Sequence, residues 1–155
     1  MAIDKVREYF KKYKIENKIT VFDTSSATVE LASIALNCKP ERIAKTLSFI
    51  VDNKPILIVM SGTTRIDNNK YKSYFHTKAK MIPSDLVESL IGHKVGGVCP
   101  FAVNDDVLVY LDTSLKKFDT VFPACGSSNS AIELTNQELE KYSNYVSWID
   151  IGKNE

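Results

Sequence analysis

Cysteine is scarce in this sequence. Cys38, Cys99 and Cys125 form an odd set with no C-x-x-C spacing, which excludes a paired disulfide framework and a zinc ribbon. His76 and His93 add no pair at metal-ligand spacing, so neither a metal nor any other cofactor is expected. Net charge is nearly absent too: 20 basic and 19 acidic side chains leave +1. That balance excludes a global polycation that grips duplex DNA through its phosphates, and any RNA contact has to be local. Long hydrophobic runs are also missing. None approaches the roughly 20 apolar residues that span a bilayer, and Met1 to Phe10 lacks a basic stretch followed by an apolar one. The expectation is a soluble, cytoplasmic protein with reduced thiols and no membrane partner.

What is present suits one compact unit. The chain has 155 residues, 44% of them apolar and 25% charged, with no repeat, low-complexity tract or long polar linker. A single domain over residues 1–155 is the economical reading. Ile3, Val6, Phe10 and Tyr13 share one helical face. Ile19 to Phe22 reads as a short strand. TVELASIAL, from Thr28 to Leu36, offers Thr28 as an N-cap and apolar residues on nearly all sides, which predicts a mostly buried helix. Leu47 to Val51 and Ile56 to Met60 flank Asp52-Asn53-Lys54-Pro55 and predict a β-hairpin, with Lys45 just ahead of its first strand. Helices are expected over Asn68 to Phe75 and Ser84 to Ile91, the second closed by Gly92. Strands follow at Val107 to Leu111, Thr120 to Phe122 and Ala131 to Leu134. Thr135 and Glu138 then form a capping box for a helix ending near Tyr142, and Tyr145 to Ile149 adds a last strand.

Four parts of the chain could carry chemistry. HKVGGVCPFAVND, residues 93–105, sets two glycines and a proline where the backbone can approach a ligand and offer amides to a carbonyl or oxyanion. A plain tight turn explains Gly96-Gly97 equally well. FPACGSSNSAIEL, from Phe122 to Leu134, places small polar residues between two strands, as a cleft lining or as an ordinary surface loop. Lys45 lies where an ammonium group can be aimed into a cleft, although most lysines are merely solvated. Lys70, Lys72, Lys78 and Lys80, interleaved with Tyr71, Tyr74, Phe75 and His76, could meet phosphates and stacked bases or form a solvated helix face. A cysteine hydrolase would need Cys99 or Cys125 beside His76 or His93, and no local signature marks either pair.

In order along the chain stand FDTSSATVELASIALNCKPERIAKTLSF, VMSGTTRID with Gly62, KVGGVCPFAV and PACGSSNSAIEL. That ordered set resembles the YbaK-like, prolyl-tRNA-synthetase-associated editing family over nearly the whole chain. The resemblance implies an α/β (α+β) fold with a strongly curved, barrel-like mixed sheet flanked by helices. It implies a trans-acting aminoacyl-tRNA deacylase that takes the 3′ CCA end of a mischarged tRNA, with prolyl-tRNA synthetase as a further partner. The substrate it points to is a proline tRNA carrying alanine, cysteine or another small residue; the alternative is a non-catalytic module that binds tRNA ends or a synthetase. By position, Lys45 would anchor the terminal adenosine or its phosphate, and Gly96, Gly97 and Val98 would contact the substrate carbonyl. Gly126 and Ser127 would line the opposite wall, with Phe22, Thr46, Ser61, Gly62, Cys99, Pro100, Phe101 and Ser128 completing the substrate-binding set. Where cysteine-specific relatives carry Tyr, Ser and Asp, this chain has Phe22, Cys99 and Ala131, so the resemblance does not carry cysteine specificity with it.

Overall fold

The first helix, α1 (Ala2–Lys11), buries Val6 and Phe10 one turn apart. The two side chains are 0% exposed, and each such burial contributes roughly 1.5–3 kcal/mol. A computed structural model describes residues 2–154. Strand β1 (Thr20–Val21) precedes α2 (Val29–Leu36), whose N-cap Thr28 accepts a hydrogen bond from the Leu31 N–H at 3.1 Å. The prediction of a mostly buried α2 is corrected. Only Ala32 and Ser33 are buried, while Leu31 and Ile34 stand 41% and 76% exposed, because α2 lies along the rim of the fold.

The hairpin β2 (Ile43–Val51) and β3 (Lys54–Ser61) is longer and tighter than its apolar runs suggested. Asp52 and Asn53 both take positive φ, 51° and 65°, the geometry of a two-residue turn that matches strand twist, and Pro55 pairs with Ile50 inside the hairpin. Lys45 therefore lies within β2, opposite Met60, and not ahead of it. Asp67 caps α3 (Asn68–Phe75) by accepting from the Asn69 and Lys70 N–H groups. Gly92, at φ 104°, closes α4 (Ser84–Ile91).

β4 (Leu108–Asp112) and β5 (Thr120–Pro123) follow, and then the predicted strand at Ala131 to Leu134 divides. Its halves are β6 (Ser130–Ala131), paired with β1, and β7 (Leu134–Thr135), paired with β5. The Thr135 and Glu138 capping box forms as expected at the start of α5 (Asn136–Ser143), and β8 (Ser147–Ile149) ends the sheet.

The six-stranded sheet runs β7-β5-β2-β3-β4-β8 and mixes antiparallel with parallel neighbours. It curls into a half-barrel, giving an α+β domain with five α-helices among the described residues. Leu57 and Val59 of β3 face a core shared with α1, α4 and α5, while Ile56 and Ile58 face a second core with Tyr71 of α3. Burial on both faces explains why β3 reads as a continuous apolar run.

Candidate active site

The principal cavity, about 410 Å³, sits where the sheet partners of β2 change. β5 pairs with Ile43 and Ala44 and then turns away. Further along, Lys80 to Ile82 takes up the same edge: the Ile50 N–H donates to the Lys80 carbonyl at 2.9 Å and the Ile82 N–H to the Ser48 carbonyl at 3.1 Å. Between these contacts the edge at Lys45 to Leu47 stands open onto the cavity. The start of α2 (Thr28, Val29, Ala32), the Met81 to Val87 segment, the Val95 to Val98 loop and the exit of β5 at Ala124 form the walls. Met81 and Val95, 57% and 62% exposed, stand at the mouth.

Of the residues singled out from the sequence, Lys45, Thr46, Gly96, Val98 and Ala131 line this cavity. The others are not part of its lining. Gly97 packs backbone to backbone on the neighbouring loop: a Cβ there would lie 2.8 Å from Ser127 N and 2.9 Å from Gly126 C. Gly126, at φ 92°, tucks under the start of α1 against the Ala2 carbonyl. Ser127 Oγ donates within its own loop, to Ser130 Oγ at 2.7 Å or Asn129 Oδ1 at 2.9 Å. The Ser128 carbonyl accepts the Ser26 N–H at 2.6 Å, and Phe22 exchanges backbone and side-chain bonds with Asn129. This ties the segment before α2 to the loop after β5. Ser61 Oγ donates to the Glu41 carbonyl, and Gly62 leaves room for Pro40 and Val29, so this corner seats α2. Cys99 and Phe101 are core residues at 0% exposure, and Pro100 lines a separate hollow beside Tyr9 and Tyr142. Val29, Met81 and Ile82 are also in the wall and were not among the sequence candidates, whereas Val95 belongs to the 93–105 segment and Ala124 and Ser130 to the Phe122 to Leu134 segment, both offered above as ligand-contacting loops. The apolar pair Met81-Ile82 just before Pro83 was the readable hint of a short extended segment there.

Lys45 is the one charged side chain in the cavity wall among the described residues. Burial, reinforced by the nearby Arg65 guanidinium and only partly opposed by Glu30, holds its ammonium below the ordinary lysine range. Among the described residues its Nζ makes no hydrogen bond or ion pair, so no serine or threonine hydroxyl forms a dyad with it. The Gly97 N–H is committed to the Lys94 carbonyl at 3.0 Å, whereas the N–H groups of Gly96 and Val98 have no acceptor among the described residues. The thiols offer no nucleophile. Cys99 and Cys125 are fully buried, and burial pushes Cys99 up to about 12 and Cys125 well above its usual range. His93 is likewise sealed in, its Nε2 2.7 Å from the Phe101 carbonyl oxygen and 3.5 Å from Cys99 Sγ. No cluster of three or more His, Cys, Asp or Glu able to hold a metal occurs among the described residues. None of their helices is long and apolar enough to cross a membrane.

The basic and aromatic segment is partly dismantled by packing. Lys70 Nζ is held by the Gly152 carbonyl at 2.8 Å and by Asp150 and Asn154, and Tyr71 is fully buried. Lys72, Lys78, Lys80 and Tyr74 stay exposed, and Lys80 and Lys94 adjoin the mouth residues Met81 and Val95. The arrangement can bind an anion, offer two backbone N–H groups to an oxygen, and enclose a small apolar group. It supplies no carboxylate or imidazole for general acid-base work.

Residues 23–142 match the family model described as an aminoacyl-tRNA editing domain. A Bacillus subtilis relative described as the uncharacterized protein YwhH is 49% identical over 154 residues, 99% of this chain and 98% of its own. A proline–tRNA ligase of Bacillus cytotoxicus is 25% identical over 138 residues, 88% of this chain but 24% of the ligase. Among solved structures, a candidate trans-editing enzyme for prolyl tRNA synthetase superposes with TM-score 0.87 at 23% identity, covering 99% of this chain and 98% of that one. The hypothetical protein APE2540 superposes with TM-score 0.80 at 22% identity, covering 94% and 99%. At these identities the structural likeness speaks for the fold.

Proposed function

The chain belongs to the aminoacyl-tRNA editing domain family, and from that premise we propose that it hydrolyses, in trans, the ester joining a small amino acid to the 3′ end of a mischarged tRNA. Proline tRNA is the substrate we favour, because the similar chains include part of a proline–tRNA ligase and a structure described as a candidate trans-editing enzyme for that synthetase. The observation that carries the proposal is the cavity itself, which sets one half-buried, unpartnered ammonium beside a wall holding two free backbone N–H groups.

An aminoacyl ester is already activated, so its hydrolysis needs orientation, an oxyanion partner and a placed water more than a covalent nucleophile. Lys45 serves as the anchor for the terminal nucleotide's phosphate. The Gly96 and Val98 amides receive the substrate carbonyl, and the apolar wall around Ile82, Val98 and Ala124 takes the amino-acid side chain. Lys80 and Lys94 at the mouth meet the incoming RNA backbone. Such a pocket answers a discrimination problem, since a synthetase rejects a residue smaller by one methylene by only about 1–3 kcal/mol and a second site must remove the product.

The test is a panel of mischarged tRNAs incubated with purified protein. Small aminoacyl esters on proline tRNA should decay faster than in buffer, Lys45→Ala should fold yet be inactive, and Cys99→Ala and Cys125→Ala should stay active. Decay no faster than in buffer across the panel, with tRNA binding retained, overturns the catalytic reading in favour of a binding module.

A further inference from the structure

We infer that Thr46 holds the substrate's α-amino group in its neutral form and so makes deprotonation of that amine a requirement for turnover. The inference rests on the ester-hydrolysis reading above and adds a second recognised group to it.

Three observations carry it. First, Ser48 and Ile50 direct their backbone groups to the outer edge of β2, towards Ile82 and Lys80. Backbone direction alternates along a strand, so Thr46 directs its N–H and C=O to that same edge. There β5 has already ended its pairing at Ala44. Among the described residues Thr46 thus has no strand partner on this side, and its donor and acceptor face the cavity. Second, Thr46 Oγ1 is buried without a hydrogen-bond partner. Buried polar atoms are nearly always satisfied, so a wall residue whose hydroxyl has no partner within the protein marks a place where a ligand atom would supply one. Third, the wall contains no carboxylate, and Lys45 is the next residue along the strand.

A residue offering a donor and an acceptor side by side fits a group that both accepts and donates. A neutral amine does so, whereas an ammonium has no lone pair to accept with. The charged groups around the site disfavour the ammonium as well. Lys45 of β2 and Arg65 from the loop after β3 are cations, and Glu30 of α2 is the one acidic group that acts on Lys45. Lys80, Asp85 and Lys94 are exposed and adjoin the wall residues Met81, Ser84 and Val95.

The experiment compares alanyl-tRNA with lactyl-tRNA, in which a hydroxyl that does not ionise replaces the amine. For wild-type protein, kcat/KM on the alanyl ester, corrected for spontaneous hydrolysis, should climb about tenfold per pH unit below the pKa of the amine, which lies near or under about 8. The lactyl ester should lack that limb. Thr46→Val should lower kcat/KM on the alanyl ester about tenfold, in line with one lost hydrogen bond to a buried group, and Thr46→Ser should restore most of it. Identical pH profiles for the two esters, or an unchanged Thr46→Val, overturn the inference while leaving the deacylase reading intact. If neither ester is hydrolysed, the deacylase reading itself fails, independently of Thr46. The pH comparison uses wild-type protein alone and so survives a variant that does not fold.

Discussion

Replacing Lys45 by Met removes a charge whose burial beside Arg65 outweighs the attraction of Glu30. The ammonium is half-buried on β2, has no partner among the described residues, and feels the Arg65 cation in addition to its desolvation. Methionine keeps an unbranched stem in the cavity wall and drops the charge. Removing a strained group at a functional site commonly stabilises by about 0.5–2 kcal/mol. At roughly 2–4 °C per kcal/mol for a chain of this size, the melting temperature should rise by several degrees. Deacylation should meanwhile fall about 10²–10³-fold, the scale for losing one preorganised electrostatic contact. The pH dependence separates anchor from base. Between its depressed folded pKa and the unfolded value of about 10.4, the unfolded chain binds more protons at Lys45, so wild-type stability rises with pH through that window and the rise disappears in Lys45→Met. If the ammonium anchors a phosphate, wild-type activity falls as pH rises through the depressed pKa; a Lys45 general base would make it rise. Thermal unfolding and deacylation measured side by side read out both quantities. A Lys45→Met protein that loses stability along with activity refutes the reasoning, because Lys45 would then be a structural residue.

Gly97→Ala should be damaging without touching the cavity lining. Its Cβ would press on Ser127 N, Gly126 C and Ser127 Cα, all backbone atoms that cannot swing aside, so about 1–3 kcal/mol should be lost by urea unfolding. Displacing the Gly96 and Val98 amides along with it should cost on the order of 10²-fold in kcat/KM. His93→Gln addresses acid stability. Burial holds the His93 imidazole below its usual pKa, so the unfolded chain takes up its proton first. Wild-type stability is therefore full above the unfolded value of about 6.5 and declines as pH drops below it, and Gln, which can still donate to the Phe101 carbonyl, should flatten that decline. Urea midpoints at neutral and mildly acidic pH check it.

Local signals located the helices and the hairpin well, because caps and periodicity are carried by neighbouring residues. Thr28, Asp67 and Thr135 all cap as their residue types suggest, and Gly92 takes the left-handed conformation that a helix end favours. Exposure of α2 was not legible, since an apolar helix at a rim and one in a core have the same composition. Nor was the division of the Ala131 to Leu134 run, whose first half pairs with β1, far away in sequence, and whose second half pairs with β5. Within the site, Lys45 and the glycine loop stood out through residue type and order. Ile82 and Val29 did not, because apolar residues look alike whether they pack on protein or enclose a cavity. The Lys70 tether to the C-terminal residues was equally invisible, since only the fold brings positions 70 and 152 together.

The loop at residues 96–101 turns its members to different sides. Gly96 and Val98 line the cavity, while Gly97, Cys99 and Phe101 face the other way, into the adjoining loop and the core. This loop is not a strand, since residues 95–96 form a turn and Gly96 takes φ 92°; its own path sends its members to opposite sides. Cys99 is thus a packing residue, and the side chain that this loop offers to a substrate is Val98. On this geometry, pocket size answers to Val98 together with Ile82 and Ala124 on the facing walls. Cys99 acts on the substrate only through the position of the backbone it helps to seat. Under the proposed function, selectivity and catalysis share this short segment: the Val98 side chain helps set the volume, and the uncommitted N–H groups of Gly96 and Val98 are the ones proposed to meet the carbonyl.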